Sequence, residues 1–152
     1  MSTTEKLIDD WYQRVRVTQL AHYASADHFG KRKYSLGIPA VVLSAIVGTT
    51  AFATLQSKPD FWLQIIVGLA SVTAALLTSL QTLLGYSERA EKHRIAGAKY
   101  GSVGRELEFL KTQSNIENDL ILNLKKRLDD LAEESPNNSN KIYYRAGAAK
   151  LE

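Results

Sequence analysis

The chain contains no cysteine in its 152 residues. That excludes disulfides and thiolate metal sites, and says little about compartment. Charge is missing from two long stretches: no Asp, Glu, Lys or Arg interrupts Ser35–Leu55 or Phe61–Tyr86. Spans without an ionisable residue give no sign of a proton relay, a voltage sensor or an ion-coupled transport path, and favour a non-selective pore, an anchor or a scaffold. An apolar signal-peptide core is not expected, because Glu5, Lys6, Asp9, Asp10, Arg14 and Arg16 crowd the beginning of the chain. Catalytic patterns are lacking as well. His22, His28 and His93 lie in charged amphipathic regions, and His22 and His28 are six residues apart rather than at the i, i+4 spacing of a helical zinc pair. Surface or interfacial histidines are therefore expected. Gly97, Gly101 and Gly104 are not followed by Lys-Ser/Thr and fall in a helical pattern, so they are no phosphate loop. No enzymatic activity, metal or cofactor is expected.

What the chain does have is those two apolar stretches, separated only by Gln56-Ser57-Lys58-Pro59-Asp60. At about 1.5 Å per helical residue, about 20 residues cross a hydrocarbon core of ~30 Å. Both stretches reach that length, and the link between them is too short to fold by itself. The pair reads as a helical hairpin entering and leaving a membrane on one side. A soluble bundle with two wholly buried helices is the alternative, but a domain this small has too little interior to hide them on every face.

Charges are mixed along the flanks, Lys+Arg 19 against Asp+Glu 16, rather than pooled in a basic patch, so direct nucleic-acid binding is not expected. Lys31, Arg32 and Lys33 precede the first span; Arg89, Lys92 and Arg94 follow the second; the link offers only Lys58 beside Asp60. The positive-inside rule then places both termini in the cytoplasm, with Phe61, Trp62 and Tyr86 as interfacial aromatics.

The fold class expected is an all-α membrane protein: a two-helix transmembrane hairpin whose N- and C-terminal cytoplasmic helices form a bundle. Residues 1–30 form an amphipathic helix capped by Thr3 or Thr4, which Gly30 ends or bends. Residues 31–86 hold the hairpin (35–55 and 61–86), with Pro39 either in the first turn of the span or marking a kink. Residues 87–134 form charged helices, the second opened by a Ser114-Asn115-Ile116-Glu117 capping box. Residues 135–152 are a loop and a short, partly disordered tail, of which Leu151-Glu152 resembles a cloning-site remnant and is set aside. Trp11, Val15 and Leu20 on one side, and Leu107, Leu110, Ile121, Leu124, Leu128 and Leu131 on the other, are the expected bundle core. The last four supply a short apolar seam spaced by threes and fours. Gly97, Gly101 and Gly104 suggest close packing against another helix, or a flexible joint between bundle and hairpin.

The most specific pattern lies on the second span. Gln64, Gly68, Ser71, Ala75, Thr78, Thr82 and Gly85 recur at alternating four and three residues, all small or polar, opposite a face of Ile, Val and Leu. Lipid gives a helix no hydrophobic reason to be two-faced, whereas small residues let helix backbones approach and hydroxyls bond across. The first span carries a fainter version, in which Ser44 and Gly48 form a small-xxx-small pair. Either the two stripes pack against each other within one hairpin, or hairpins from several protomers assemble with Gln64, Ser71 and Thr78 lining a watery centre. One hairpin cannot enclose a pore, so a channel requires a homo-oligomer.

The run from His28 to Ala53, with its Lys31-Arg32-Lys33 collar and Gly37-Ile38-Pro39 entry into Ser44 and Val47-Gly48-Thr49, resembles the bacterial SLATT proteins. The segment Tyr86-Ser87-Glu88-Arg89-Ala90-Glu91-Lys92-His93-Arg94 agrees with that resemblance. These are two-transmembrane effector domains associated with SMODS nucleotidyltransferases and SLOG domains. The resemblance implies an inner-membrane effector in a bacterial conflict or antiphage system, triggered by a sensor or nucleotide-signal partner and then perforating the membrane. A membrane-anchored adaptor that recruits a cytoplasmic enzyme and carries no current is the rival reading.

Overall fold

A computed structural model describes residues 3–54, 60–113 and 116–148. The described residues are all-α, in five helices: α1 (Thr3–Thr54), α2 (Phe61–Leu84), α3 (Tyr86–Leu110), α4 (Asn118–Glu134) and α5 (Asn140–Ala148). They fall into two compact units, one made of the chain up to His28 and from Arg89 onward, the other of Phe29–Glu88.

In the first unit, the start of α1 packs with α3 and α4 around Ile8, Val15, Tyr100, Val103, Leu107, Leu110, Leu124 and Leu131. Ile8 and Val15 are one heptad apart, as are Leu124 and Leu131, while α3 contributes at intervals of three and four. Each helix thus turns a single stripe inward. Burying a side chain of this kind stabilises the fold by roughly 1.5–3 kcal/mol. Trp11 and Leu128 pack against this core half-buried, and Ile121 and Leu20 are likewise half-buried. Helix α5 adds Ala146, which is buried, and a Cβ on Gly147 would lie 3.7 Å from Val17. The Ser25 hydroxyl ties down the preceding loop by donating to Asn138 Oδ1 at 2.8 Å. Ion pairs such as Lys99–Glu134 and Arg127–Glu106 lie on the exposed rim, where each is worth about 0–1 kcal/mol.

Several local expectations are corrected. Of the alternatives at Gly30 and Pro39, a helix end at the first and a helix start at the second do not occur; both lie inside α1. A glycine weakens a helix by about 1 kcal/mol and a proline by about 3 kcal/mol, which neighbouring structure can offset in a span. Glu117 takes the N-cap position of α4 in extended backbone, without a side-chain cap bond. It is therefore not the third helical residue of a capping box; Ser114 and Asn115 lie outside the described residues. The tail through Ala148 is helical rather than disordered.

Gly97, Gly101 and Gly104 sit within α3 without interrupting it. A Cβ on Gly97 would come within 3.1 Å of the Tyr23 ring, one on Gly101 within 2.5 Å of Gln19 Nε2, and one on Gly104 within 3.5 Å of Val15. The three glycines let α3 run close and antiparallel to the 15–23 segment of α1, so they are packing positions. The residue with joint geometry is Gly85, whose φ of +57° separates α2 from α3. A side chain there would strain the backbone, because that region suits glycine.

The second unit pairs the later half of α1 with α2. The link between them, apart from Asp60, lies outside the described residues, and Asp60 caps α2 in extended backbone. An apolar window in each of the two long helices is suited to crossing a membrane, and only 6% of either window is buried. That exposure rules against the wholly buried helices of a soluble bundle. The spans are covered chiefly at two alanines, Ala40 and Ala74, whose small side chains suit close helix approach.

Candidate functional site

Between the spans runs an open groove of about 840 Å³, lined by Ser44, Val47 and Gly48 of α1 and by Ser71, Ala74, Ala75, Thr78, Ser79, Thr82 and Leu83 of α2. Six residues singled out by their spacing therefore share one surface: Ser44, Gly48, Ser71, Ala75, Thr78 and Thr82. Gln64 and Gly68 lie on exposed turns of α2 away from that lining. Gly85 belongs to the joint after α2 rather than to a helical stripe.

The hydroxyls in the groove are occupied in a specific way. Ser44 donates to the Ala40 carbonyl at 2.8 Å, Ser71 to Val67 at 2.9 Å, Thr78 to Ala74 at 2.9 Å and Thr82 to Thr78 at 3.1 Å. Each bond runs to the helix's own backbone one turn earlier. A hydroxyl left without a partner in hydrocarbon costs several kcal/mol; these have met that demand within their own helix. Each hydroxyl oxygen retains acceptor capacity. These four hydroxyls donate within their own helices rather than across the hairpin.

The bulky face is also open, with Leu69 65%, Leu76 60% and Ile66 61% exposed. That suits contact with acyl chains, which are as apolar as these side chains.

Residues 4–150 match the family described as the SMODS and SLOG-associating 2TM effector domain, family 4. The chain belongs to that family. No curated protein matches it, and no solved structure does. This SLATT chain is accordingly a two-transmembrane effector domain of the kind associated with SMODS and SLOG systems, with two helices long and apolar enough to span a membrane.

The basic residues expected beside the spans are divided between the units. Lys31, Arg32 and Lys33 stand on α1 at the end of the hairpin unit. Arg32 Nη1 donates to the Tyr86 hydroxyl at 3.5 Å, and Lys33 Nζ donates to Ser87 Oγ at 3.2 Å. Tyr86 is buried and stacks with Phe29. Arg89, Lys92 and Arg94 belong to the other unit, all exposed, with Arg94 3.8 Å from Glu91.

Two features of the SLATT chain escaped sequence reasoning. Gln81, which the stripe skips, lies over Gly37, where a Cβ would meet its amide at 3.1 Å. The only signal was a second amide in an otherwise apolar span. The other feature is a histidine pair. His22 and His93 are not surface residues; they are 2% and 4% exposed, with their Nδ1 atoms 3.0 Å apart. One ring must donate an Nδ1–H and the other accept, so the two hold different tautomers. The His22 ring also stacks on Tyr100, 5.4 Å between centroids and 17° from parallel. Burial, reinforced by the neighbouring His93, pushes His22 down from 6.5 to about 4. Burial lowers His93 too, and raises Tyr100. These rings are neutral core groups at physiological pH. Among the described residues, no group of three or more His, Cys, Asp or Glu side chains is placed to hold a metal ion. His28 is exposed.

Proposed function

We propose that this chain is an oligomeric inner-membrane effector of a bacterial conflict system, whose hairpins assemble and open a pore when a sensor or nucleotide-signal partner triggers them. The observation that carries the reading is the groove. It is lined by Ser71, Thr78 and Ser44, whose donors are satisfied and whose oxygens can still accept, on a hairpin too small to surround water by itself. Several copies arranged about an axis would place those hydroxyl-bearing grooves around a common centre. Both termini lie in the cytoplasm, following the basic residues beside the spans, so the helical bundle receives the trigger on that side.

The back-bonded hydroxyls also favour a second reading. Because their donors need no water, the same hairpin is stable as a plain anchor, and the protein then recruits a cytoplasmic partner without conducting.

Dye release from sealed liposomes carrying the purified protein separates the two, with Ser71→Leu/Thr78→Leu alongside. A conducting assembly releases dye, and the double variant stops release while still inserting. Equal release by both proteins removes Ser71 and Thr78 from the pore wall. Silence from inserted protein, with its trigger system present, leaves the anchor.

A further inference from the structure

A second groove of about 540 Å³ lies wholly within the hairpin unit, lined by residues including Lys33, Gly37, Ile38, Val41, Thr78 and Gln81, and reaching Ser44. We propose that it is a binding site for one anionic phospholipid, headgroup at Lys33 and acyl chain along Ile38 and Val41.

Its length fits. From Lys33 to Ser44 is eleven residues of α1, or about 16 Å at 1.5 Å per residue. That is about half of a ~30 Å hydrocarbon core, the depth of a single leaflet. Its order of chemistry fits as well. The ammonium of Lys33 stands at the mouth, beside the Tyr34 ring 5.8 Å away. One turn deeper the Gln81 amide lies across Gly37, whose missing side chain leaves it room. Beyond that the walls are Ile38 and Val41, 60% and 70% exposed. A phospholipid presents a phosphate, then ester carbonyls, then an acyl chain, in the same sequence.

The charge at the mouth decides the occupant. Among the described residues, Lys33 meets a hydroxyl and a ring but no carboxylate, and Lys31 and Arg32 stand directly before it. A second copy seated in this groove, unlike one meeting the hairpin elsewhere, would set its own three cations directly against Lys33. A lipid phosphate brings the missing negative charge. The inference rests on the two-span reading and is independent of whether the assembly conducts.

The test is lipid retention by the full-length protein, purified from vesicles of mixed phosphatidylglycerol and phosphatidylcholine and weighed by native mass spectrometry. The parent retains phosphatidylglycerol about fivefold over phosphatidylcholine, as one added cation near an anionic headgroup predicts. Lys33→Ala brings that preference to near unity, and Lys33→Arg restores it. Val41→Phe fills the groove from its open side without touching the helix contact, and lowers retention of both lipids. A photo-crosslinker at Val41 labels lipid. Equal retention of the two lipids by the parent, an unchanged preference in Lys33→Ala, or displacement by inorganic phosphate alone would each overturn the site. So would crosslinking of Val41 to a second copy. Carbonate-resistant insertion is read on the same vesicles: a parent that inserts without preference sinks this inference only, whereas one that fails to insert sinks the two-span reading with it.

Discussion

Acid should loosen the helical bundle through its histidine pair, and the size of the effect follows from the geometry. His22 has its folded pKa lowered from 6.5 to about 4. The unfolded state therefore binds the proton first, and stability falls as pH drops below the unfolded value. The loss is complete only below the folded pKa. The full difference of 2.5 pH units corresponds to about 3 kcal/mol, of which about 2 kcal/mol is already lost near pH 5. His93 shifts in the same direction and adds to the loss. Chemistry at the contact agrees in sign, since protonating both rings leaves two N–H donors facing each other across 3.0 Å. Tyr100, which stacks on His22, has its pKa raised by burial and so stays neutral throughout this range.

Hydrogen exchange on the full-length protein in detergent micelles reads this directly. After correction for intrinsic exchange, the amides of α3 around His93 should lose about thirtyfold protection between roughly pH 8 and pH 5. Amides of α2 serve as an internal reference, because no ionisable residue lies in that helix. A His22→Phe/His93→Phe double variant, which removes both partners and keeps their bulk, should flatten the pH dependence at little cost in neutral stability. His93→Leu alone should cost about 1–3 kcal/mol, because it takes away His22's hydrogen-bond partner in a buried site. Constant protection in the parent, or an undiminished acid response in the double variant, would refute the assignment.

Other substitutions test the packing. Gly104→Ala should raise bundle stability by roughly 0.5–1 kcal/mol, since its Cβ meets Val15 at an ordinary 3.5 Å and the helix gains propensity; a fall in the thermal midpoint would contradict this. Gly97→Ala requires the Tyr23 ring to shift from a 3.1 Å approach, so its midpoint should lie below that of Gly104→Ala. Gly85→Ala should destabilise by about 1–2 kcal/mol, as alanine is strained at φ +57°, and a neutral result would mean the joint can straighten. Leu107→Ala, at a fully buried position, should cost about 2–5 kcal/mol by denaturant titration; a change below about 1 kcal/mol would remove Leu107 from the core.

The parts of this fold that can be read from sequence are those written in long uninterrupted patterns. Charge depletion over Ser35–Leu55 and Phe61–Tyr86 is strong enough to announce two spans, and the periodic Leu107, Leu110, Leu124 and Leu131 lie in the bundle core. Features that sequence leaves open or hides depend on a single residue or on distant partners. Gly30 and Pro39 look like boundaries because local propensity disfavours helix at each, yet the turns on both sides carry the helix through. The spacing of Gly97, Gly101 and Gly104 admits packing or bending, and only the facing Tyr23, Gln19 and Val15 choose between them. His22 and His93 are 71 residues apart, so no local spacing relates them. Gln81 escaped for a different reason: it lies beside the small-residue stripe, and its role is set by a glycine on the other helix.

The hydroxyls of the groove bear on how such a hairpin changes state in the proposed assembly. A side chain that had to exchange a protein partner for water on opening would add the net cost of that exchange, about 0.5–1.5 kcal/mol at each position. Ser44, Ser71, Thr78 and Thr82 avoid that cost, because their donors stay on their own helices in either environment. Water in the groove then only adds acceptor contacts, and acyl chains in the groove leave no donor unmet. The balance between the two states falls to helix packing and to whatever the bundle transmits, both of which a partner can shift by a few kcal/mol. Replacing Thr78 by Val, which matches its shape and removes the hydroxyl, should therefore leave insertion unchanged and reduce dye release only modestly. Leu at the same position, which fills the groove, should abolish release. Equal loss in both variants would show that the hydroxyls, rather than the space they border, carry the function.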